Sequence, residues 1–552
     1  MEAILSPAVI RHLSLNGVPL WSQLIRQTSS VDRVTTSDAP RHREKVIRRL
    51  GCVETYQAAL QYLDYMRGVM LSCRYQLPQH FGPNTSERDL VNFFDKAISR
   101  VILKHPHLHV GLIGQNTNEP LWILLDSLNL ADHIQWRTIN SNPVDFEKEC
   151  LSGYHQLLDT KFTNCSTTPG WKIQVLRPEG ASFIEVFFVF NHTNLDGISA
   201  LVFHEDLLQS LQDDLQTNGN GLENRILKLS PRSAGLLCPP PEDLTGFPVD
   251  PQIMQKFLHD EAQMRTAGYP KQPAQANWTP ITAAPFKTQF RSITVSSELV
   301  SELVKICRHH GTTLTGLFHG IALVSLTSLL EPSTASAFTS QTAMDLRRFL
   351  PSRHSLYPWY KPSIAISNYV TMLSHTFGED LVAQIRALSS PEDAFEKLPT
   401  GELIDLVWTS ACKVRQDIKD KLQMGTKNDM IGFARRVEDW RAQLKEEIRK
   451  PRSISWVISN IGPIDGSPKQ PSSVGSANGT GWAITGAKFV LCANVVAAAL
   501  NISVVSIQDG DLTVTCSWQD CVIDSKLAEE FVTDLDRWLK YIPVSTQRST
   551  VE

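Results

Sequence analysis

The N-terminal half of the chain alternates between helical and strand-like spacing of its apolar residues. In Gly51–Leu71 they recur every three or four positions, which predicts an amphipathic helix. A second helix is predicted over Ser86–Leu103, because a serine followed at once by acidic residues is typical of a helix start. The stretch His105–Ile113 changes to period two, and Trp171–Leu176 and Phe183–Phe190 are clearer strands.

The C-terminal half repeats the order of strand, capped helix and further strands. It opens with a predicted strand at Thr288–Val295 and a helix capped by Ser296. Further elements are predicted as a helix at Leu314–Leu330 and strands at Ala337–Ala343, Ser363–Leu373, Ile454–Ile461, Ala487–Cys492, Asn501–Gln508 and Asp511–Trp518. A last helix begins at Ser525, and its apolar stripe predicts packing onto this half, with attachment to a membrane surface as the alternative.

Two domains are predicted from these patterns. A chain of 552 residues exceeds the size at which one hydrophobic core usually stops growing. Periodicity fades after Asp213, where a glycine-rich turn and a proline-rich connector follow. We therefore divide the chain into an N-terminal domain (1–218), a crossover segment (219–285) and a C-terminal domain (286–552), of mixed α/β (α+β) class.

Composition narrows the function classes. Hydrophobic residues make up 42% and charged residues 20%, as in ordinary globular enzymes, and the net charge of −4 gives no reason to expect nucleic acid. The ten cysteines form no CxxC pair, which predicts neither zinc nor a disulfide framework. Without a signal-peptide pattern or an uninterrupted apolar run, we expect a cytoplasmic protein with no transmembrane segment.

The candidate chemistry lies at the turn after Phe183–Phe190. Here His192 can accept a proton near neutral pH, because the reference pKa of imidazole is about 6.5. Asp196 begins the next helical pattern, where a carboxylate can accept backbone N–H groups, and Gly197 leaves room for close packing. No serine or cysteine occupies the tip as a nucleophile would. The pattern predicts a general base beside a structural carboxylate, although a purely structural histidine stays open.

The segment His192–Gly197 resembles the HxxxDG motif of the coenzyme-A-dependent acyltransferase superfamily, which includes chloramphenicol acetyltransferase, plant BAHD enzymes and peptide condensation domains. Further segments, in order, are similar to the fungal alcohol O-acetyltransferase branch: Leu50–Tyr56, His105–Leu112, Thr312–Leu323, Asp345–Arg348 and Ser459–Gly462. Two departures count against the other branches. Asn191 stands where condensation domains carry a second histidine, and the plant DFGWG motif is absent.

This resemblance implies two chloramphenicol-acetyltransferase-like domains with mixed sheets and a central tunnel. It implies acetyl-CoA as donor, a small-molecule alcohol as acceptor and His192 as base, with no acyl-enzyme. The motif aspartate would pair with an arginine, Arg347 first and Arg348 second. Candidate oxyanion donors, for which turn caps are the alternative role, are Ser459, Asn460, Ser367 and Asn368. We expect a monomer without a bound metal, with peripheral association with the endoplasmic reticulum or lipid droplets left open.

Two alternatives use the same fold. One is N-acyl transfer or condensation from a carrier-protein thioester, and the other is a cyclase or binding role without acyl transfer. His319, within an apolar helix, is interpreted as a hydrogen-bonded core residue rather than a second base. His105, His107 and His109 alternate along one stretch, but no acidic or cysteine cluster accompanies them, so we predict no metal site there.

Overall fold

The computed structural model describes residues 45–81, 86–140, 143–213, 222–267, 269, 271–389, 399–467 and 481–549. The strands are β1 (Val46–Arg49), β2 (Gly68–Gln76), β3 (Val110–Ile113), β4 (Leu121–Leu124), β5 (Ser127–Asn129), β6 (Ile134–Ile139), β7 (Trp171–Pro178), β8 (Phe183–Asn191), β9 (Leu222–Glu223), β10 (Ile226–Lys228), β11 (Thr288–Val295), β12 (Phe338–Asp345), β13 (Val370–Phe377), β14 (Trp456–Ile464), β15 (Ala483–Leu491), β16 (Leu500–Ile507) and β17 (Leu512–Gln519).

The α-helices are α1 (Cys52–Tyr62), α2 (Glu87–Lys104), α3 (Leu130–His133), α4 (Pro143–Leu158), α5 (Gly197–Gln212), α6 (Pro241–Leu244), α7 (Pro251–Ala267), α8 (Ser297–His309), α9 (Leu314–Leu329), α10 (Glu379–Leu388), α11 (Gly401–Met424), α12 (Met430–Ala434), α13 (Trp440–Glu447) and α14 (Ser525–Ser549). Strands and helices occur in both halves, and the sheets mix parallel with antiparallel pairs. The predicted mixed α/β class is therefore confirmed.

A five-stranded sheet in the order β15-β2-β8-β7-β6 supports the N-terminal half. Its long strands β2 and β8 are antiparallel, with Gly68 opposite Asn191, so the end of β8 is held within the sheet. Helices α2 and α5 cover one face, where Phe188 and Phe203 stack in the main core. On the other face α4 covers Phe187, because successive side chains along a strand point to opposite faces.

A six-stranded sheet in the order β11-β17-β16-β14-β12-β13 supports the C-terminal half. Its inner strands β12, β14 and β16 run parallel to one another, and the remaining pairs are antiparallel. Helices α8, α9, α11 and α14 pack over one face and form a second core with Trp456 and Trp518. The opposite face turns toward the N-terminal half, where Ile461 meets the start of α5.

The two halves share a strand. β15 lies within the predicted C-terminal range, yet it pairs with β2 over residues 69–76. The predicted crossover segment holds β9, β10, α6 and the 17-residue helix α7, which the sequence pattern did not indicate. The division at 1–218, 219–285 and 286–552 stays a prediction. Because β15 joins the N-terminal sheet, the halves are connected by main-chain hydrogen bonds as well as by side-chain packing.

Three predicted elements are wrong in extent. The strand predicted over His105–Ile113 begins only at Val110, because Pro106–Leu108 form a turn of 3-10 helix. The helix predicted over Gly51–Leu71 ends at Tyr62, because Asp64 takes a positive φ of 59° and the following residues form β2 between two partner strands. The strand predicted over Ser363–Leu373 begins only at Val370. Before it, residues 365–369 are irregular, since side chains from elsewhere take their backbone hydrogen bonds. Helices α10 and α11 also went unpredicted.

The C-terminal helix packs as its stripe predicts. Phe531, Leu535, Trp538, Leu539 and Ile542 are all buried in the second core, and this covered stripe leaves no apolar face on those residues for a membrane. In the described part of the chain, no single helix is long and apolar enough to cross a bilayer, although α8 and α9 together, bent by 89°, pass by length and composition.

Candidate active site

The turn between β8 and α5 presents His192. At its base Asn191 is fully buried, and its side-chain oxygen accepts the backbone N–H of Thr193 at 2.8 Å. The amide of Asn191 also donates to the side chain of Gln61 on α1. These bonds set the direction in which the chain leaves the strand, so His192 is partly exposed just beyond the C-terminal end of β8.

Hydrogen bonding assigns the tautomer of His192. Its Nδ1 lies 2.7 Å from the carbonyl oxygen of Leu195, which can only accept, so Nδ1 carries the proton. Nε2 is then an acceptor, and it has no hydrogen-bond partner among the described residues. Burial lowers the pKa of the imidazole, against the opposing effects of the Leu195 carbonyl and the Asp196 charge. The ring is therefore neutral at pH 7 and can accept a proton at Nε2.

Both carboxylate oxygens of Asp196 accept hydrogen bonds from the surrounding protein. One carboxylate oxygen accepts the backbone N–H of Ser199 at 2.7 Å and the other that of Tyr369 at 2.8 Å. The Arg347 guanidinium adds a bidentate pair at 2.8 and 3.0 Å. Burial alone would raise the pKa of this buried carboxyl, but the Arg347 charge and the hydrogen bonds outweigh it and lower the pKa. A carboxylate held this way supports the turn and does not relay protons from His192.

Arg347 joins the two halves. Besides Asp196, it donates to the carboxylate of Asp345 at 2.9 Å and to the carbonyls of Ala365 and Ser367 at 3.0 and 3.1 Å. Although burial opposes it, the neighbouring carboxylates raise the pKa of the guanidinium further. The other candidate, Arg348, is exposed and makes no contact with Asp196. The structure thus pairs the motif aspartate with Arg347.

Ser367 and Asn368 hold the turn from the C-terminal side. The Asn368 amide donates to the carbonyl of His192, and its nitrogen lies 3.3 Å from Nδ1. Since Nδ1 is itself a donor to Leu195, this last approach is a contact between two donors. The Ser367 carbonyl accepts the Ser199 hydroxyl at 2.7 Å, and both Ser367 and Asn368 are buried. The Asn368 amide therefore positions His192, Ser367 supports the start of α5, and burial keeps both from a substrate oxygen.

Ser459 and Asn460 lie on β14 but point to opposite faces. A Cβ on Gly197 would lie 2.6 Å from Ile461, so only glycine permits this approach of α5 to the strand. Ser459 shares the face of Ile461, is partly exposed, and has no hydrogen-bond partner within the described ranges. Asn460 points away and donates to Thr315 at 3.2 Å. Of the four predicted donors, only Ser459 has a donor group, its hydroxyl, that faces the start of α5 without a hydrogen-bond partner among the described residues.

Sequence reasoning missed several supporting residues. Gln61, Ser199 and Tyr369 each bond to the turn, yet they lie on three separate segments. Ser199 carried a usable signal, because it stands three residues after a helix-capping aspartate, where the cap accepts a backbone N–H. For Gln61 and Tyr369 we find no such signal, since nothing local distinguishes them from ordinary polar positions.

The remaining histidines have other partners. His105 pairs with Asp206 at 2.6 Å, and His109 bonds to the carbonyl of Ile102. His107 lies 3.6 Å from the buried carboxylate of Glu54. His319 is buried and hydrogen-bonded through both ring nitrogens. Across the residues that the structure describes, no three histidine, cysteine or acidic side chains are grouped to hold a metal.

A comparison with protein families identifies the chain. The family profile described as alcohol acetyltransferase matches residues 144–539. The chain belongs to the alcohol acetyltransferase family. Among named relatives, it is 26% identical over 466 residues to a probable alcohol acetyltransferase, FCK4, of Fusarium pseudograminearum, covering 81% of this chain and 86% of that one. It is 23% identical to a probable alcohol acetyltransferase, crmB, of Aspergillus fumigatus, covering 86% and 95%.

Solved structures support the fold of this family member. It resembles the TRI3 trichothecene 15-O-acetyltransferase from Fusarium sporotrichioides with a TM-score of 0.66 at 13% identity, covering 89% of this chain and 94% of that one. A condensation domain of the calcium-dependent antibiotic synthetase gives a TM-score of 0.52 at 11% identity, covering 90% and 95%. Identities this low show the fold alone. The family itself indicates an acyltransferase whose acceptor is an alcohol.

Proposed function

We propose that this alcohol acetyltransferase family member transfers an acetyl group from acetyl-CoA to the hydroxyl of a small-molecule alcohol, with His192 as general base. One observation carries the proposal. His192 donates Nδ1–H to Leu195 at 2.7 Å and leaves Nε2 as an unoccupied acceptor on a partly exposed, neutral ring. A neutral imidazole with one open nitrogen is the group that such a proton transfer requires.

In the proposed reaction Nε2 accepts the alcohol proton while the alcohol oxygen attacks the thioester carbonyl. The tetrahedral intermediate then collapses, the ester forms, and the proton passes from Nε2 to the departing CoA thiolate. While the ring is charged, the Leu195 carbonyl stabilises the Nδ1–H. With no covalent acyl-enzyme, both substrates must be bound at once, and their mutual orientation supplies much of the acceleration.

Ser459 is the proposed donor to the oxyanion. Its hydroxyl faces the start of α5 and has no partner among the described residues, whereas Asn368 is committed to the His192 carbonyl and Asn460 to Thr315. A donor aimed at the developing charge typically contributes on the order of 10²–10³ in turnover. Asp196 and Arg347 take no part in the proton transfer and hold the turn in place.

The finer assignment is also proposed. The resemblance of His192–Gly197 to the HxxxDG motif supports membership of the BAHD-like acyltransferases, and the resemblance to fungal acetyltransferases favours a hydroxylated secondary metabolite as acceptor. We propose a cytoplasmic monomer. All ten cysteines are free of disulfides, in keeping with a reducing compartment.

The proposal is tested by mixing the protein with acetyl-CoA and a panel of alcohols and analysing the products by mass spectrometry. We expect an acetyl ester and free CoA in equal amounts. In parallel mixtures, an amide formed when amines replace the alcohols, or a product formed only when a carrier-protein thioester replaces acetyl-CoA, would favour the condensation alternative. Absence of any ester with every CoA donor tried would contradict the proposal.

A further inference from the structure

One face of the six-stranded sheet carries partly exposed residues on its inner strands. Thr342 and Ile458 point into the core beneath α9, where Thr342 bonds to His319 at 2.9 Å. Their strand neighbours Ala343 and Ser459 therefore point to the opposite face. Both lie on inner strands of the sheet, yet neither is buried. An inner-strand side chain that solvent reaches must face an open space.

Strand register extends this opening to a row of three residues. Ala343 pairs directly with Met372 on the edge strand β13, and Met372 is also partly exposed. The parallel pairing of Thr342 with Ile458 places Ala343 beside Ser459. On the far side of Ser459, its partner Ser503 is fully buried. The opening is thus closed beyond Ser459 and continues toward the edge at Met372.

The row lies next to the His192 turn. Ile461, two residues beyond Ser459 on the same face, contacts Gly197 at the start of α5. At the other end, Asp345 pairs with Val370, and Asp345 bonds to the arginine that holds Asp196. Ala343 is two residues back along the strand from Asp345, a distance of about 7 Å. The open row therefore lies two residues along the strands from the residues that contact the turn carrying His192.

We infer that Ser459, Ala343 and Met372 form the floor of the acceptor-binding cleft, and that Ala343 admits an alcohol with a broad apolar body. This inference rests on the proposed function. The reacting hydroxyl lies at the Ser459 end, near His192, and the body extends over Ala343 toward Met372 at the open edge. Two of the three floor side chains are apolar, and the smallest stands in the centre, where it leaves room for a ring system.

An accessibility experiment tests the cleft without requiring turnover. Ala343→Cys is treated with methyl methanethiosulfonate, and modification is followed by mass spectrometry. We expect rapid labelling at residue 343, slowed at least several-fold by the bicyclic alcohol borneol and little affected by desulfo-coenzyme A. Thr342→Cys, on the core side of the same strand, is the matched control and should stay unlabelled, as should the buried native Cys516. Absence of labelling at 343, or protection by desulfo-coenzyme A alone or by neither compound, would overturn the inference.

Selectivity gives the second test. Ala343→Phe should lower kcat/KM for borneol relative to hexan-1-ol by about 10- to 200-fold, the range that pocket size typically supports. The KM for acetyl-CoA should hardly change. An unaltered ratio between the two alcohols, or a raised KM for acetyl-CoA alone, would show that the floor does not contact the acceptor. If the wild-type protein acetylates no alcohol, the proposed function fails, while the labelling experiment still decides whether the cleft binds one.

Discussion

Two histidine-containing clusters, the partly exposed His192 turn and a buried pair in the C-terminal half, differ in accessibility and in whether a ring nitrogen is open. At the His192 turn one ring nitrogen is bonded and the other is open. In the C-terminal half, His319 and His375 are joined through Thr342, with 2.9 Å from each histidine Nε2 to the hydroxyl. His375 continues to Asp417 at 2.8 Å. Both ring nitrogens of His319 and of His375 therefore have hydrogen-bond partners.

The second cluster resembles a catalytic triad in its distances alone. Asp417, His375 and Thr342 follow the order of acid, base and hydroxyl nucleophile. The hydroxyl, however, is shared with His319 and buried beneath α9 and α11, so no substrate can approach it. His192 makes fewer bonds but is partly exposed. A histidine is a candidate base when one of its ring nitrogens has no hydrogen-bond partner and substrate can reach it, whatever the number of its other contacts.

The largest expected effect is on turnover. Replacing His192 with alanine should reduce kcat by about 10²–10⁴-fold, because the alcohol would lose its proton acceptor. The melting temperature should change little, since the ring makes only one bond through its own donor. Product formation by mass spectrometry and a thermal melt measure the two quantities. Wild-type turnover in this variant would refute the proposed mechanism and remove the contrast between the clusters.

The second effect is on stability. Arg347→Met leaves the buried Asp196 carboxylate without its counter-charge, which should lower the free energy of unfolding by about 3–5 kcal/mol and reduce activity as the turn loosens. Asp196→Ala should lower both quantities as well. Arg348→Met is the matched control: it is exposed, and we expect a change within about 0.5 kcal/mol. Urea unfolding compares them, and equal stability of the two arginine variants would contradict the assigned pairing.

A smaller effect should separate structure from catalysis in the second cluster. Thr342→Val preserves shape but removes the hydroxyl that both histidines share, leaving buried polar groups unpaired at a cost of about 1–3 kcal/mol. We expect the unfolding midpoint to fall while kcat of the folded protein is retained. Loss of kcat at unchanged stability would instead show that this cluster takes part in the reaction.

The free energy of unfolding should depend on pH through the buried histidines. Burial lowers the pKa of His319 and, despite the Asp417 charge, that of His375. The unfolded chain therefore binds more protons than the folded one below about pH 6.5, so stability is present above that pH and is lost as the pH falls, by up to about 1.4 kcal/mol per unit for each group. His204, whose pKa burial lowers to about 4, acts in the same direction.

Activity should also fall at low pH, because the proposed base becomes protonated. Burial also lowers the pKa of His192, so the acid limb of kcat/KM should lie below pH 6.5 and activity should be level above it. Rate profiles and urea unfolding between pH 8 and 5 measure both behaviours. Stability that rises as the pH falls through 6.5 would contradict the buried neutral histidines.

Local patterns explain which elements were predictable. β8 and α5 follow from an apolar run and from a capping aspartate that accepts the Ser199 N–H, both of which are written within a few residues. The pattern predicts strand over Ser363–Leu373, which includes residues 365–369. Its backbone instead bonds to Arg347 and Asp196, and contacts this distant in sequence leave no local trace.

The residues of the site likewise fall into those that sequence predicts and those that depend on tertiary contacts. Sequence alone pointed to the proposed general base, its capping aspartate and the glycine at the turn, because all three depend on one strand-to-helix connection and on intrinsic side-chain chemistry. Tertiary structure decided which arginine pairs with Asp196, that Asn368 supports the turn, and that Ser459 rather than Asn460 faces the start of α5. These outcomes depend on sheet register and on which face each side chain takes, and register is set only when strands far apart in the chain pair.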